Sequence, residues 1–397
     1  MFHSLKVRNF RIYWLGMLVS LTGTWIQNIA QSWLVFQLTH SAFLLGFVGF
    51  LSTFPLLLFS LFGGVLADRI NKRNILIVTQ SAFMGLAFLL AALTQFKVVT
   101  PVQIMLIAFL NGVVMAFDAP ARQAVVVELV GKAHLPNAIA LNSAAFNSSR
   151  VIGPALAGIL IAVIGMSGCF YINGISFLAV IMALLLIKVN GTETRSDKPL
   201  VKDLKEGIAF VTNHRLILVL ISMVGMVSLF GLSYMILMPI FAHDILKVGV
   251  KGLGYLMSCA GIGALIGALT LARLGDFRYK GKFLVVSSLI YSVCLVMFSL
   301  SKIYVLSLAI LVLLGATSVS AVALINTILQ TRVPDNFRGR VMSIFMITFA
   351  GFMPFGNLIA GSLSQTIGVS LTVLISGIIC TVFFAVIDII YPDLREL

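Results

Sequence analysis

The chain has 397 residues, 60% of them hydrophobic and only 10% charged, with a mean hydropathy of +1.10 and a formal charge of +14. A soluble domain is usually about 45–50% apolar and about 25% charged, so a water-soluble fold is excluded and the composition suits lipid as solvent. The apolar runs are too long for strands and lack two-residue alternation, which excludes an outer-membrane barrel.

A membrane-spanning helix needs about 20 apolar residues to cross about 30 Å of hydrocarbon. Twelve such runs are predicted, at 12–37, 42–67, 74–96, 98–117, 138–164, 168–187, 216–241, 252–275, 283–300, 303–327, 341–366 and 369–390. The basic, then apolar start reads as a retained first helix, because the apolar run continues to Phe36 where a signal peptide would have ended. Thr24, Gln27, Asn28 and Gln31 put a polar face on that helix. The turn after the second run, "GGVLADRINKRNIL", holds Asp68, Arg69, Lys72 and Arg73 within six residues. Asn71 fits this turn on the expectation that asparagine tolerates left-handed backbone.

Asp118 and Asp388 are the deepest of the 13 acids, both expected toward the inner side. Asp118 reads as a structural ion pair with a loop arginine, with a proton relay as the alternative. In the fifth run Arg150 lies about twelve residues in, about 18 Å along the axis. A mid-membrane arginine is costly and usually faces a pathway or a partner. Ser143, Asn147 and Arg150 form one stripe, expected to line a central cavity opposite Gln27, Asn28 and Gln31; helix-to-helix glue is the alternative for the amides. Gly153, Pro154 and Gly158 permit close approach or hinging.

Residues 188–215 separate six runs from six. Leu200, Val201, Leu204, Ile208 and Val211 recur at helical spacing, which predicts an amphipathic linker helix on the membrane surface, capped by Asp197 before Pro199. The expected domains are 1–190, a linker at 191–215, and 216–397. In the seventh run Phe230 and Tyr234 stand where the first run has Gln27 and Gln31, an offset of 203. At that offset Gly112 meets Gly315, and 128–160 aligns without gaps on 331–363. Two parallel six-helix halves are a transporter design, with the substrate site near the bilayer midplane.

Loops numbered alternately collect 22 of the 27 Lys and Arg on one side, against Lys97, Lys247, Lys251 and Lys302 on the other. Cytoplasmic loops collect these residues, so both termini are expected inside, and the basic charge reads as topology rather than nucleic-acid binding. The four cysteines sit in apolar runs as small core residues. The five histidines lie in or beside loops, without carboxylates at metal-ligand spacing, so no metal or cofactor is expected. The absence of a GxxxxGK[ST] loop excludes ATP hydrolysis on this chain.

The stretch Gly64–Arg73 resembles the G-x-L-a-D-R-x-G-R-R loop of the major facilitator superfamily, with Asn71 and Lys72 departing from it. Together with "FDAPARQAVVVELV" (117–130), "LNSAAFNSSR" (141–150) and "RVIGPALAGIL" (150–160), the chain is similar to the bacterial subgroup of enterobactin, macrolide and drug exporters. The resemblance implies an all-α membrane protein with twelve helices in two pseudo-symmetric six-helix bundles. It implies a gating latch at Gly64, Asp68, Arg69 and Arg73, with Arg122 nearby and a partner near Arg340–Ser343. It also implies a monomeric bacterial inner-membrane exporter of a siderophore or drug-like amphipathic molecule, not an enzyme, working by alternating access on a proton gradient. The cavity residues argue for a substrate with negative charge or oxygen acceptors against Gln27, Asn28, Gln31, Asn147, Arg150 and Tyr234, with Asp118 as coupling candidate. An importer of similar solutes and a lipid scramblase or lipid transporter are the alternatives.

Overall fold

The computed structural model describes residues 3–187, 200–275 and 277–396. The side chains of Asp68, Lys132, Ala133 and 200–204 lie outside that description, as do Asp197 and Asp276 altogether. The expected latch at Asp68, the cap at Asp197 and three of the five linker positions therefore fall outside it.

Three helices open the chain: α1 (Arg8–Thr39), α2 (Ala42–Arg69) and α3 (Lys72–Gln95). Asn71 has φ −56°, so it is not left-handed as the sequence suggested. Its side chain instead accepts from the backbone N–H of Arg73 at 3.0 Å, capping the otherwise unpaired first turn of α3. Thr100 starts the next helix with a capping box to Gln103 and proline at the first position.

From Pro101 to Leu186 the backbone is helical except at two glycines, Gly131 (φ 67°) and Gly165 (φ 74°). Left-handed backbone breaks the hydrogen-bond ladder, and glycine alone adopts it freely. The stretch is therefore three helices, α4 (101–130), α5 (132–164) and α6 (166–186). α4 outruns the sequence expectation of 98–117. Pro120 sits inside it without ending it, so Asp118 and Arg122 stand within the helix and not in a loop.

After the linker helix α7 (Leu200–Asn213) come α8 (Arg215–Ile245), α9 (Gly249–Leu274), α10 (Lys280–Leu300), α11 (Tyr304–Arg332), α12 (Asp335–Ile367) and α13 (Val369–Ile390). Among the described residues ten helices are long and apolar enough to cross a membrane. One of these, His134–Leu186, is α5 and α6 together; α1, 32 residues long but rich in polar groups, completes the twelve. No strand occurs among the described residues.

The chain forms two compact units. Unit 1 comprises Met1–His40, Leu51–Asp197 and Val250–Ser258; unit 2 comprises Ser41–Phe50, Lys198–Gly249 and Cys259–Leu397. In unit 1, α1 is tied to α5 by Trp14 Nε1 donating to the Leu141 carbonyl at 3.0 Å and by a Thr22–Ser149 hydroxyl pair at 3.1 Å. Pro120 has no N–H for the carbonyl of Ala116, and α2 uses that gap: a Cβ on Gly63 would overlap the Ala116 oxygen. Only glycine allows this approach.

In unit 2, α7 docks on α12. Glu206 pairs with Arg340 at 2.9 Å, and Phe210 stacks on Phe337 with centroids 4.3 Å apart. Val211 is buried as the periodicity predicted, but Ile208 is 48% exposed. The docking face is rotated because Gly207 lets the helix meet Arg340 and Ile344. The expected surface helix thus packs on protein through Glu206, Gly207 and Phe210.

Candidate functional site

Ser20, Thr24, Gln27, Asn28 and Gln31 recur three and four apart, so they share one face of α1. That face lines a cavity of about 600 Å³ inside unit 1. The other walls come from Ser52 and Thr53 on α2, Asn111 and Arg122 on α4, Asn142 and Phe146 on α5, and Asn173 and Phe177 on α6. Gln27 and Asn173, 7% and 2% exposed, pair across α1 and α6, with Asn173 Nδ2 donating to Gln27 Oε1 at 2.7 Å. Phe83 stacks on Phe177 at 5.5 Å, giving the same cavity an aromatic wall.

Arg122 is the one charged side chain in the lining among the described residues. Its counter-ion, Asp118, lies one turn earlier on α4 and is fully buried. Asp118 Oδ1 accepts from Thr79 Oγ1 at 2.8 Å and Gln80 Nε2 at 2.7 Å. Its Oδ2 accepts from Arg122 Nε at 2.9 Å and also from Arg122 Nη2. Burying a charge is tolerable only when it is paired and hydrogen-bonded, and this carboxylate is both. Among the described residues the third guanidinium nitrogen, Nη1, donates to the Met17 sulfur alone, at 3.2 Å. Tyr13 is in the same wall, 1% exposed, and its hydroxyl has no hydrogen-bond partner among the described residues.

The structure gathers some of the sequence candidates here and places others elsewhere. Gln27, Asn28 and Gln31 line the cavity. Arg122, placed by the sequence near a latch, is in the cavity wall with Asp118 behind it. Asn147 and Arg150 are not part of the lining; the Asn147 amide donates to the Ser143 carbonyl of its own helix at 2.8 Å. Tyr234 belongs to unit 2, is 1% exposed and meets Phe298 edge-on at 6.1 Å. Arg73 donates to the Leu184 and Leu185 carbonyls, which lie at the C-terminal end of α6 where carbonyls lack helical partners. Arg69 is exposed. A Cβ on Gly64 would meet nothing within 4 Å.

Gly153, Pro154 and Gly158 all lie at helix crossings. A Cβ on Gly153 would overlap Trp25, one on Gly158 would come 3.1 Å from Lys251 Cα, and one on Gly254 would come 2.5 Å from the Pro154 oxygen. The sequence reading passed over Asn111, Asn142 and Asn173. Their signal was available, since each is an amide within a membrane-length apolar run. Among the described residues no three His, Cys, Asp or Glu side chains gather as a metal set.

Twelve membrane-length helices among the described residues, in two units of which one holds a largely apolar cavity with a few polar side chains, define a multi-pass membrane transporter of small molecules with the major facilitator fold. Residues 1–396 match the transmembrane secretion effector family, and the chain belongs to that family of the major facilitator superfamily, which consists of transporters rather than enzymes. The chain is 28% identical to the staphyloferrin A transporter of Staphylococcus aureus, over 90% of this chain and 89% of that one. It is 24% identical to the multidrug efflux pump Tap of Mycolicibacterium fortuitum (94% and 93% covered) and to the enterobactin exporter EntS of Shigella boydii (85% and 80%). Among solved structures, a bacterial homolog of the human lysosomal transporter Spinster, inward-facing and occupied, superposes with a TM-score of 0.75 at 12% identity, covering 99% and 98% of the two chains. The D-xylose–proton symporter superposes at 0.74 and 12%, covering 94% and 96%.

Proposed function

We propose that this protein exports an amphipathic small molecule, siderophore-like or drug-like, by alternating access. It works in the bacterial inner membrane as a monomer, with both termini cytoplasmic, and draws on the proton gradient. The observation that carries this reading is the cavity of unit 1, where amides, aromatic rings and one paired cation line about 600 Å³ within an apolar bundle. Ligand sites are concave, mostly apolar and furnished with a few placed polar groups, and this cavity has that character. Relatives named as siderophore and multidrug exporters support the substrate class and the direction. The 22-to-4 distribution of Lys and Arg supports the orientation.

Asp118 is the carboxylate paired with the arginine of the cavity lining. Four donors already converge on it, which supports the structural pair over the proton relay. The test is transport by purified protein in proteoliposomes and by everted membrane vesicles. Energised everted vesicles accumulate an exporter's substrate, and collapsing the proton gradient with an uncoupler stops it. Accumulation only in right-side-out vesicles contradicts the direction, and uncoupler-insensitive transport contradicts the energy source.

A further inference from the structure

Within the cavity of unit 1, charge is distributed one-sidedly. The lining holds one guanidinium and no carboxylate among the described residues. The carboxylate that balances it, Asp118, is fully buried behind the wall. Arg122, by contrast, is 23% exposed and is part of the lining. A solute in the cavity therefore meets the cation and not its counter-ion.

The guanidinium is also held in a fixed pose. An arginine carries five N–H donors in a rigid fork. Asp118 engages Nε and Nη2, which fixes the plane of the fork, and Thr79 and Gln80 fix the carboxylate in turn. Nη1 is left against a thioether, a weak acceptor. An oxyanion is the group that this remaining edge suits, because charge-assisted hydrogen bonds to guanidinium are stronger than neutral ones. The amides of Asn28, Gln31, Asn111 and Asn142 line the same space and offer further donors and acceptors, while Phe146 and Phe177 supply apolar faces.

We infer that Arg122 is the recognition point for an oxyanion, such as a carboxylate, on the transported molecule, and that Asp118 is the positioning residue that aims it. The cavity of unit 1 thereby selects acidic amphiphiles over cationic ones. This inference rests on the reading that the cavity receives the transported solute. A cationic amphiphile would have to give up its hydration beside an arginine with no accessible carboxylate to replace it. Among solutes of equal size and aromaticity, the sign of the charge decides.

The test uses two xanthene dyes of similar size, fluorescein as the anion and rhodamine 6G as the cation. Binding to the purified full chain is read by fluorescence anisotropy, and flux is read in proteoliposomes. Fluorescein is expected to bind at least tenfold more tightly than rhodamine 6G. Arg122→Gln is expected to weaken fluorescein at least tenfold while leaving rhodamine 6G unchanged or tighter, and Arg122→Lys is expected to fall between. Since Arg122→Gln frees a buried carboxylate and could impair folding, Gln123→Glu provides a second arm. Gln123 is exposed and lines the cavity next to Arg122, so the new carboxylate should weaken fluorescein and strengthen rhodamine 6G. Tighter binding of rhodamine 6G by the unaltered protein, or indifference of both affinities to both substitutions, overturns the inference. Flux without charge preference refutes this inference and leaves the transport reading standing. Charge-selective binding without flux of any solute contradicts the transport reading and leaves Arg122 as an anion-binding point only.

Discussion

The two halves of the molecule share a helical frame and differ in what fills it. In unit 1, Asn111, Asp118, Arg122 and Asn142 stand in or behind a cavity wall. The residues 203 positions later are Leu314, Ala321, Ile325 and Phe345, exposed by 1%, 1%, 0% and 3%. Gln31, half-buried in the cavity wall, is matched by Tyr234, which is 1% exposed. The frame itself is conserved between the halves at Gly112 and Gly315: a Cβ on either would crowd backbone of the second membrane helix of its own half, at Ser52 and at Ala260. At these positions one copy of the scaffold therefore carries polar side chains in or behind a cavity wall and the other carries buried apolar ones. Polarity is a property of the inserted side chains, not of the helix arrangement.

The sharpest way to break this comparison is to move the charge. Ile325→Arg puts an unpaired guanidinium into a fully buried site. The expected cost exceeds about 4 kcal/mol, and size-exclusion of solubilised protein should show little monodisperse material. Normal folding of this variant would mean that unit 2 also tolerates a buried charge. Next in size is Asp118→Ala, which leaves Arg122, Thr79 and Gln80 without their acceptor. The expected loss is about 3–5 kcal/mol, read as a lower melting temperature in detergent. Asp118→Leu combined with Arg122→Met should recover most of that stability and lose fluorescein binding. If the double variant is no more stable than Asp118→Ala, the pair is not the source of the loss.

The shared frame gives the third prediction. Gly112→Val and Gly315→Val should each cost about 1–3 kcal/mol by thermal melting, because each forces helices apart. A large effect in one half and none in the other would show that the frame is not shared. The smallest effect is expected at Gly64→Ala, where the added methyl meets open space in a helix. Stability should be unchanged or up to about 1 kcal/mol higher, since alanine favours helix over glycine. Loss of transport at undiminished stability would locate the role of Gly64 in gating rather than in packing. Gly63→Ala should instead lower the melting temperature, because the Ala116 carbonyl occupies the space.

Composition and run length were enough to read the membrane and the helix count, because hydrocarbon accepts only long apolar segments with internally paired backbones, and the residue register at an offset of 203 was enough to read the duplicated plan. The polar face of α1 was legible for the same reason: amides at helical spacing stand out in lipid-soluble sequence. The setting of Asp118 and Arg122 was not legible. "DAPAR" reads locally as a loop, and only the packing of Gly63 on the Ala116 carbonyl shows how the helix accommodates Pro120 and keeps the pair inside. Arg150 was the conspicuous charge in the sequence, yet the lining includes Arg122 instead. Which way a side chain points at mid-membrane depth depends on the rotation of its helix against its neighbours, and that rotation is set by close contacts such as Gly153 on Trp25. Hydropathy reports how deep a residue lies along the bilayer normal, because transfer energy depends on depth. Azimuth around the helix is decided by tertiary packing, and in this protein azimuth determines which cation meets the cavity.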